Sequence, residues 1–119
     1  MTGNRQEFIE FVVDKLSSLS GISSARFFGG QGISKDGALF AMIMGDCLYF
    51  LVDDLTRKKY QAMGATCFSY MTKKGRVDVT KYYEVTADFL DDDDKLLQLA
   101  RESVAIASKT RKQKREKPR

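Results

Sequence analysis

Hydrophobic residues near the amino terminus recur with the spacing of one helical face. The residues on this face are Phe8, Val12, Leu16 and Leu19. The pattern predicts an amphipathic helix over about residues 4–19, with Asn4 as its cap and Gly21 after its end. A helix lying on a membrane surface is the alternative, but acidic residues outnumber basic ones in this segment, which favours packing against a protein core.

Beyond residue 24 the pattern changes to short apolar runs separated by turn residues, which is typical of strands. The predicted strands cover residues 25–28, 38–44, 47–52, 66–70 and 77–85. Asp36-Gly37 and Gly45-Asp46 have the composition of tight turns between paired strands. These turns predict hairpins on both sides of the strand at residues 38–44.

Two further segments carry helical signals. Asp53 and Asp54 supply carboxylates at a helix start, and Gly64 follows as a stop signal. The last helix is predicted to begin near Asp91 and to continue through Ala107, with acidic residues at its start and basic residues at its end. The resulting order is α-β-β-β-α-β-β-α, which we interpret as one α+β domain with five strands.

The strand at residues 38–44 is apolar on both of its faces. In this strand Leu39, Ala41 and Ile43 alternate with Phe40, Met42 and Met44. A sheet with one solvent-exposed face normally carries polar residues on that face. Either a helix or a partner chain must cover the second face, so the pattern favours self-association, and we expect a homodimer.

The composition excludes several classes of enzyme. The chain has 119 residues, of which 43% are hydrophobic, and it contains no histidine. This length suits a single domain, and the lack of histidine excludes a Ser-His-Asp triad and a histidine-ligated zinc. We expect no catalytic residue, no metal and no cofactor. Catalysis would have to start from Cys47, Cys67 or Tyr82, which carry the remaining candidate reactive groups.

The net charge of +4 is concentrated at the carboxyl terminus. Residues 109–119 carry seven bases and one acid, so residues 1–108 have a net charge of −2. We therefore divide the chain into a domain at residues 1–108 and a basic tail at residues 109–119, which Pro118 and the lack of apolar residues predict to be flexible. The bases of the tail are Lys109, Arg111, Lys112, Lys114, Arg115, Lys117 and Arg119.

The basic tail is the candidate nucleic-acid-binding segment. Its cations are predicted to contact DNA phosphates irrespective of base sequence. A solubilising tail or a contact with an acidic protein is the alternative. Elsewhere, aromatic residues such as Tyr49 and Tyr82 have few basic neighbours, which favours packing in a core or interface over stacking on bases.

Cysteine usage and the amino terminus indicate a cellular compartment. Cys47 and Cys67 each lie in an apolar segment without the spacing of a zinc site, so we expect reduced, partly buried thiols. The first residues lack the apolar centre of a signal peptide, and no apolar run is long enough to span a bilayer. We expect a cytoplasmic protein without a membrane segment.

Two motifs resemble ligand-binding sites, one for phosphate and one for calcium, but the surrounding sequence does not fit either site. Gly29-Gly30-Gln31-Gly32 resembles a phosphate-binding loop in composition, but such loops lead into a helix and this one leads toward a strand. We interpret it as a bulge or turn. The four Asp residues at 91–94 lack the alternating ligands and terminal Glu of an EF-hand, which favours a role as helix N-terminal charge.

Four ordered segments carry a family resemblance. They are Phe27-Phe28-Gly29-Gly30-Gln31-Gly32-Ile33 with Asp36-Gly37-Ala38-Leu39-Phe40-Ala41, then Cys47 to Asp53, then Phe68-Ser69-Tyr70, then Tyr82-Tyr83-Glu84-Val85. Together they resemble the FGGxG…dGxxFA, LYLKVD, F.Y and YYEVP elements of the TfoX/Sxy N-terminal domain. The motif residues are Phe28, Gly29, Gly30, Gly32, Asp36, Gly37, Tyr49, Asp53, Tyr82 and Tyr83. Thr86 stands where many relatives have proline.

The resemblance spans about residues 7–107 and implies both a fold and a role. The implied fold is a secretion-chaperone-like two-layer α+β domain with an antiparallel five-stranded sheet, which commonly dimerises. The implied role is regulation of natural competence, as a co-activator acting with the cyclic-AMP receptor protein. Full-length members carry a second, helical domain, and we expect this chain to be a stand-alone form without it.

Two functions are therefore predicted as alternatives. The first is a transcriptional regulatory module that binds a regulator protein through its sheet and contacts DNA with its basic tail. The second is a protein-binding or chaperone-like adaptor with no nucleic-acid role. Fold analogy alone does not choose between them.

Overall fold

The computed structural model describes the backbone of residues 2–27 and 29–116 and the side chains of residues 6–27 and 29–110. The helices are α1 (Thr2–Leu16), α2 (Asp54–Ala62), α3 (Ala87–Leu90) and α4 (Asp93–Glu116). The strands are β1 (Ile22–Phe27), β2 (Gly30–Lys35), β3 (Ala38–Met44), β4 (Cys47–Leu51), β5 (Cys67–Thr72) and β6 (Gly75–Glu84). The mixed α+β class predicted from the sequence is confirmed.

The strands form one open antiparallel sheet in the order β1-β2-β3-β4-β6-β5. The predicted count of five strands is wrong, because three residues of the glycine-rich segment that we interpreted as a turn or bulge form the first half of a sixth strand, β2. Gly32 pairs with Met42 of β3 and Gly30 pairs with Phe27 of β1, whereas Gly29 lies in the turn with a positive φ of 82°. Glycine has a low strand propensity, so local pattern alone does not identify this strand.

The hairpin turns on both sides of β3 are confirmed. Asp36 and Gly37 join β2 to β3 with positive φ values of 51° and 87°, as a two-residue turn that follows the strand twist requires. The backbone amide of Asp36 also donates to the carbonyl of Gly21 at 3.0 Å. This bond ties the turn to the loop that follows α1.

The helix boundaries differ from the predicted ones at both ends of α1 and at the start of the last helix. Helix α1 begins at Thr2, so Asn4 lies within the helix and the prediction that it is the cap is wrong. Helix α1 ends at Leu16, before the predicted end. The last helix begins at Asp93 and not near Asp91, because Asp91 is the C-cap of the short helix α3. The sequence pattern did not predict α3. A carboxylate oxygen of Asp92 accepts from the backbone amide of Lys95 at 3.2 Å, so the acidic run caps α4 as expected. Helix α2 begins after Asp53, as predicted.

All four helices lie on one face of the sheet and share one core. The buried members of this core come from α1 (Val12, Leu16), α2 (Tyr60), α4 (Leu96, Leu99, Ala100, Ala107), β2 (Ile33), β3 (Ala38, Phe40, Ala41, Ile43), β4 (Leu48, Phe50) and β6 (Tyr83), with Leu19, Val52 and Val85 from the loops. Phe89 and Leu90 of α3 pack against it. Ser103 of α4 donates to the carbonyl oxygen of Leu51 at 2.8 Å, which fixes α4 against β4.

A β-bulge in the pairing of β2 with β3 changes which residues of β3 share a face. Ile33 pairs with Ala41 and the next residue, Ser34, pairs with Leu39, which leaves Phe40 opposite no residue of β2. The extra residue places Phe40 with Ala41 on the helix side, where its ring lies 6.1 Å from the ring of Phe50. Met42 is only 2% exposed, yet it does not belong to the core beneath the helices.

Candidate functional site: the uncovered face of the sheet

The face of the sheet opposite the helices forms an apolar cavity of about 550 Å³. We call this surface the open face, and it is lined by Phe27, Met42, Met44, Phe68, Tyr70, Val79 and Tyr82. These side chains come from β1, β3, β5 and β6, so the sheet curves enough for its two ends to line one concavity. None of the seven carries a charge at neutral pH, and the volume lies in the range of ordinary ligand sites.

Three aromatic rings reinforce one wall of the open face. The ring of Phe68 meets Tyr49 edge-on with centroids 5.3 Å apart, and Phe68 is also 6.1 Å from Tyr70. Edge-to-face geometry places the positive ring edge against the negative face of its neighbour, which stabilises the pair. The wall is therefore a fixed aromatic surface and not a set of independent side chains.

Two glycines of β2 make room for the cavity-lining side chains of Met44 and Phe27. A β-carbon at Gly30 would overlap the carbonyl oxygen of Ile43 and lie 2.6 Å from the sulfur of Met44. A β-carbon at Gly32 would lie 2.9 Å from Leu39 and 3.2 Å from Phe27. These glycines let neighbouring side chains lie directly over the backbone of β2. The glycine run thus serves close packing in a strand, and it leads into no helix.

A small polar cluster adjoins the aromatic wall. Burial and the nearby carboxylate of Glu84 raise the pKa of the Cys47 thiol above its ordinary value. Burial, followed by the proximity of Cys47, raises the pKa of Tyr49 to about 12. Because the thiolate is the nucleophilic form of cysteine, these surroundings make Cys47 a weak nucleophile at neutral pH.

The predicted motif residues divide into turn, cap, core and open-face positions. Gly29, Asp36 and Gly37 hold turns with positive φ, and Gly30 and Gly32 lie in β2. Tyr82 lines the open face, whereas its neighbour Tyr83 is 5% exposed and packs in the core, its ring 6.2 Å from Tyr60. Phe28 lies outside the described residues.

Asp53 is the N-cap of α2. Its carboxylate accepts from the backbone amide of Thr56 at 2.9 Å, and the Thr56 hydroxyl accepts from the backbone amide of Asp53 at 3.0 Å. This reciprocal pair is a capping box. The hydrogen bond from the Thr56 amide lowers the pKa of Asp53, since it favours the charged carboxylate. The role of this motif residue is structural.

The predicted DNA-contacting residues follow the last buried turn of α4. Ala107 is the final core residue of this helix, Lys109 is exposed, and the helical backbone continues to Glu116. The side chains of Arg111, Lys112, Lys114 and Arg115 lie outside the described part of the structure, as do Lys117 and Arg119 altogether. The helix therefore includes the first part of the basic segment.

Sequence reasoning missed most of the open face. It named Tyr82, but Phe27, Met42, Met44, Phe68, Tyr70 and Val79 were not candidate site residues. The available signal was the second apolar face of β3, which the sequence pattern did identify. That pattern could not show which residues of distant strands share the face, because this depends on strand order and curvature.

Among the described side chains, no group of three or more Cys, Asp or Glu residues is placed to hold a metal ion. No helix within residues 2–27 and 29–116 is long and apolar enough to cross a membrane.

The architecture defines a class: an α+β domain whose curved antiparallel sheet carries helices on one face and an apolar cavity on the other. The family model of the TfoX N-terminal domain matches residues 14–107, which is well over half of the chain. The chain belongs to this family. It is a competence-related regulatory family and not a known enzyme family. No curated protein matches the chain significantly.

Proposed function

We propose that this domain is a non-enzymatic transcriptional co-regulator of the competence type that acts through protein contacts on its open face. The observation that carries the proposal is the cavity of about 550 Å³ that seven uncharged side chains line on the face without helices. Large exposed apolar surfaces on a folded domain mark binding sites for partners. Family membership supports the regulatory context.

The lining of the open face favours apolar side chains of a partner protein. Met44 supplies flexible, polarisable surface, which adapts to different partner shapes, and the nearly buried Met42 lies at the base of the cavity. Phe68 and Tyr70 supply rigid aromatic surface, which is enriched among the residues that contribute most to binding. The absence of charge on the lining favours an uncharged partner surface, because a buried charge would have no counter-ion there.

The raised pKa of the Cys47 thiol supports a function without catalysis. Catalytic cysteines need a lowered pKa, whereas burial and Glu84 raise the pKa of Cys47. Among the described residues, neither cysteine lines the open face. The open face thus offers shape and apolar surface without a reactive group aimed into it.

The basic segment supplies a second contact, with DNA. Residues 1–108 have a net charge of −2, so the seven cations of residues 109–119 carry the attraction to phosphates. Helix α4 places the start of this segment beyond the last buried residue, Ala107, and away from the core. Such contact is sequence-independent and adds affinity to a complex whose specificity comes from the partner regulator.

Photo-crosslinking in cells tests the protein contact. A photo-reactive amino acid replaces Met44 on the open face, and a control replaces Ala105, which is exposed on α4. We expect the probe at position 44 to crosslink a transcription regulator that mass spectrometry identifies, and the probe at 105 to yield none of that adduct. Equal crosslinking at both positions, or none at position 44, contradicts the proposal.

DNA binding is tested separately with the chain truncated after Ser108. The full chain is expected to bind duplex DNA with an affinity that falls steeply with salt, and truncation is expected to abolish this binding. Equal binding by both forms would show that the tail makes no contact. If the open-face crosslink forms but the full chain binds no DNA at low salt, the adaptor function without a nucleic-acid role is the correct one.

A further inference from the structure

Strand β5 is an exposed edge of the sheet with no charged residue. It pairs only with β6, at the end of the strand order, so one side of its backbone has no partner strand among the described residues. Its six residues, Cys67 to Thr72, include no charged residue and no proline. Proteins usually protect edge strands with charge, proline or a covering element. A bulge between Cys67 and Phe68 is the one such device in β5, and it lies at the start of the strand.

Exposed apolar side chains cluster on this hairpin. Of the five large hydrophobic residues exposed in the described chain, three are Tyr70, Met71 and Val77 on β5 and β6. Met71 is 73% exposed. Tyr70 pairs with Val77 and belongs to the open face, whereas Met71, the next residue of the strand, points to the opposite side. The edge therefore presents apolar surface on both sides of an unpaired backbone.

We propose that β5 pairs antiparallel with β5 of a second copy of this chain, joining two six-stranded sheets into one. In a dimer with two-fold symmetry, β5 of one copy pairs with β5 of the other, so a charged residue near the axis would face the same charge on the second copy. The uncharged sequence of β5 has no such conflict. The charges on the stretch of β6 that pairs with β5, Arg76 and Asp78, are paired with each other at 3.0 Å, and Lys73 and Lys74 lie in the turn beyond the end of β5.

The opposite edge of the sheet is less suited to pairing. Strand β1 carries Arg26, and its other exposed residues, Ser23, Ser24 and Ala25, offer little apolar surface. Pairing of β5 with β1 of another copy would also be head-to-tail, which yields a ring or an open filament and not a two-fold dimer. Self-pairing of β5 closes at two copies and places both open faces on the same side of the joined sheet.

The proposed interface is small, so we expect a weak and concentration-dependent dimer. Sedimentation velocity of the full chain over a wide concentration range should show a shift from monomer to dimer. Met71→Lys places two like charges near the axis and should weaken the dimer by on the order of tenfold or more. Leu55→Lys is the matched control, because Leu55 is 79% exposed and lies on α2, outside the β5–β6 hairpin.

Disulfide trapping supplies an independent readout. Ser69→Cys and Tyr70→Cys are each introduced into a chain whose native cysteines are replaced by serine, and the purified protein is oxidised at concentrations where it sediments as a dimer. A covalent dimer at one of these positions is expected, and Met71→Lys should suppress it. A monomer at all concentrations, a dimer that Met71→Lys leaves intact, or a dimer without crosslinks at either position overturns the proposal.

The test of self-pairing through β5 can fail or succeed independently of the test of partner binding at the open face. Met71 lies outside the lining of the open face, and Met44 lies on β3, away from the edge strand. Loss of the dimer in Met71→Lys with an unchanged crosslink at position 44 would show that self-pairing and partner binding use different surfaces.

Discussion

The ring of Phe68 on β5 lies 5.3 Å from the ring of Tyr49 on β4, although strand β6 runs between the two strands. Neighbouring strands are about 4.8 Å apart, so strands separated by a third are about twice as far apart. The two rings bridge that gap on the open face. This contact holds β4 and β5 together across β6 on the side of the sheet that carries the cavity.

The coupling between these rings is measurable by a double-mutant cycle. Tyr49→Leu and Phe68→Leu are each expected to lower the free energy of unfolding, and the pair should show a coupling energy of about 0.5–1.5 kcal/mol. Chemical denaturation of the four proteins measures it. Strictly additive effects would show that the edge-to-face contact contributes nothing beyond apolar burial.

Gly30 should tolerate a side chain less well than Gly29. Gly30→Ala forces a β-carbon against the Ile43 carbonyl and the Met44 sulfur, and it should cost about 1–3 kcal/mol of unfolding free energy. Gly29→Asn is the control, because that position has a positive φ, which Asn tolerates, and open space around it. A smaller loss in Gly30→Ala than in Gly29→Asn would contradict the packing role of the strand glycines.

The carboxylate of Glu84 should suppress the reactivity of Cys47. In a Cys67→Ser background, Glu84→Gln removes a nearby negative charge that raises the thiol pKa, so the pKa should fall and alkylation at pH 8 should accelerate by about two- to fivefold. The rate of maleimide or iodoacetamide labelling measures this. An unchanged or slower rate would mean that Glu84 does not act on the thiol, with burial as the remaining cause.

The Asp53 cap should make the free energy of unfolding decrease at acidic pH. The pKa of Asp53 is lowered by folding, so its contribution is present at neutral pH and is lost as the pH falls below the ordinary Asp range through the folded-state value. Asp53→Ala should cost about 1 kcal/mol at pH 7 and less at pH 3. Thermal unfolding across this range checks the sign, and a cost that grows toward low pH would contradict it.

Much of the helix side of the fold could be predicted because it depends on local signals. The stripe from Val12 to Leu16, the cap at Asp53 and the turn at Asp36-Gly37 each follow from spacing or residue type within a few positions. The strand at Gly30–Lys35 could not be predicted this way. Its glycines are explained by residues that lie against them in the folded sheet, which are Ile43 and Met44 at Gly30 and Leu39 and Phe27 at Gly32.

The candidate site was predicted in part for a similar reason. The two apolar faces of β3 indicated a surface that the chain itself does not cover, and Met42 and Met44 carry that signal. The partners of these residues, Phe68 and Tyr70, are brought to them by the order β4-β6-β5 and by the curvature of the sheet. Neither property is encoded in a local pattern.

The most direct test of the account is the transcript profile of cells that carry Met44→Glu in place of the natural chain. Glu at this position puts a charge on the open face, whereas Leu55→Lys changes an exposed residue on the helix side and serves as the control. With both variants folded and present at natural levels, Met44→Glu should reproduce the profile of a strain lacking the protein, and Leu55→Lys should match the unmodified strain. A natural profile in the Met44→Glu strain would contradict the claim that this domain regulates transcription through its open face.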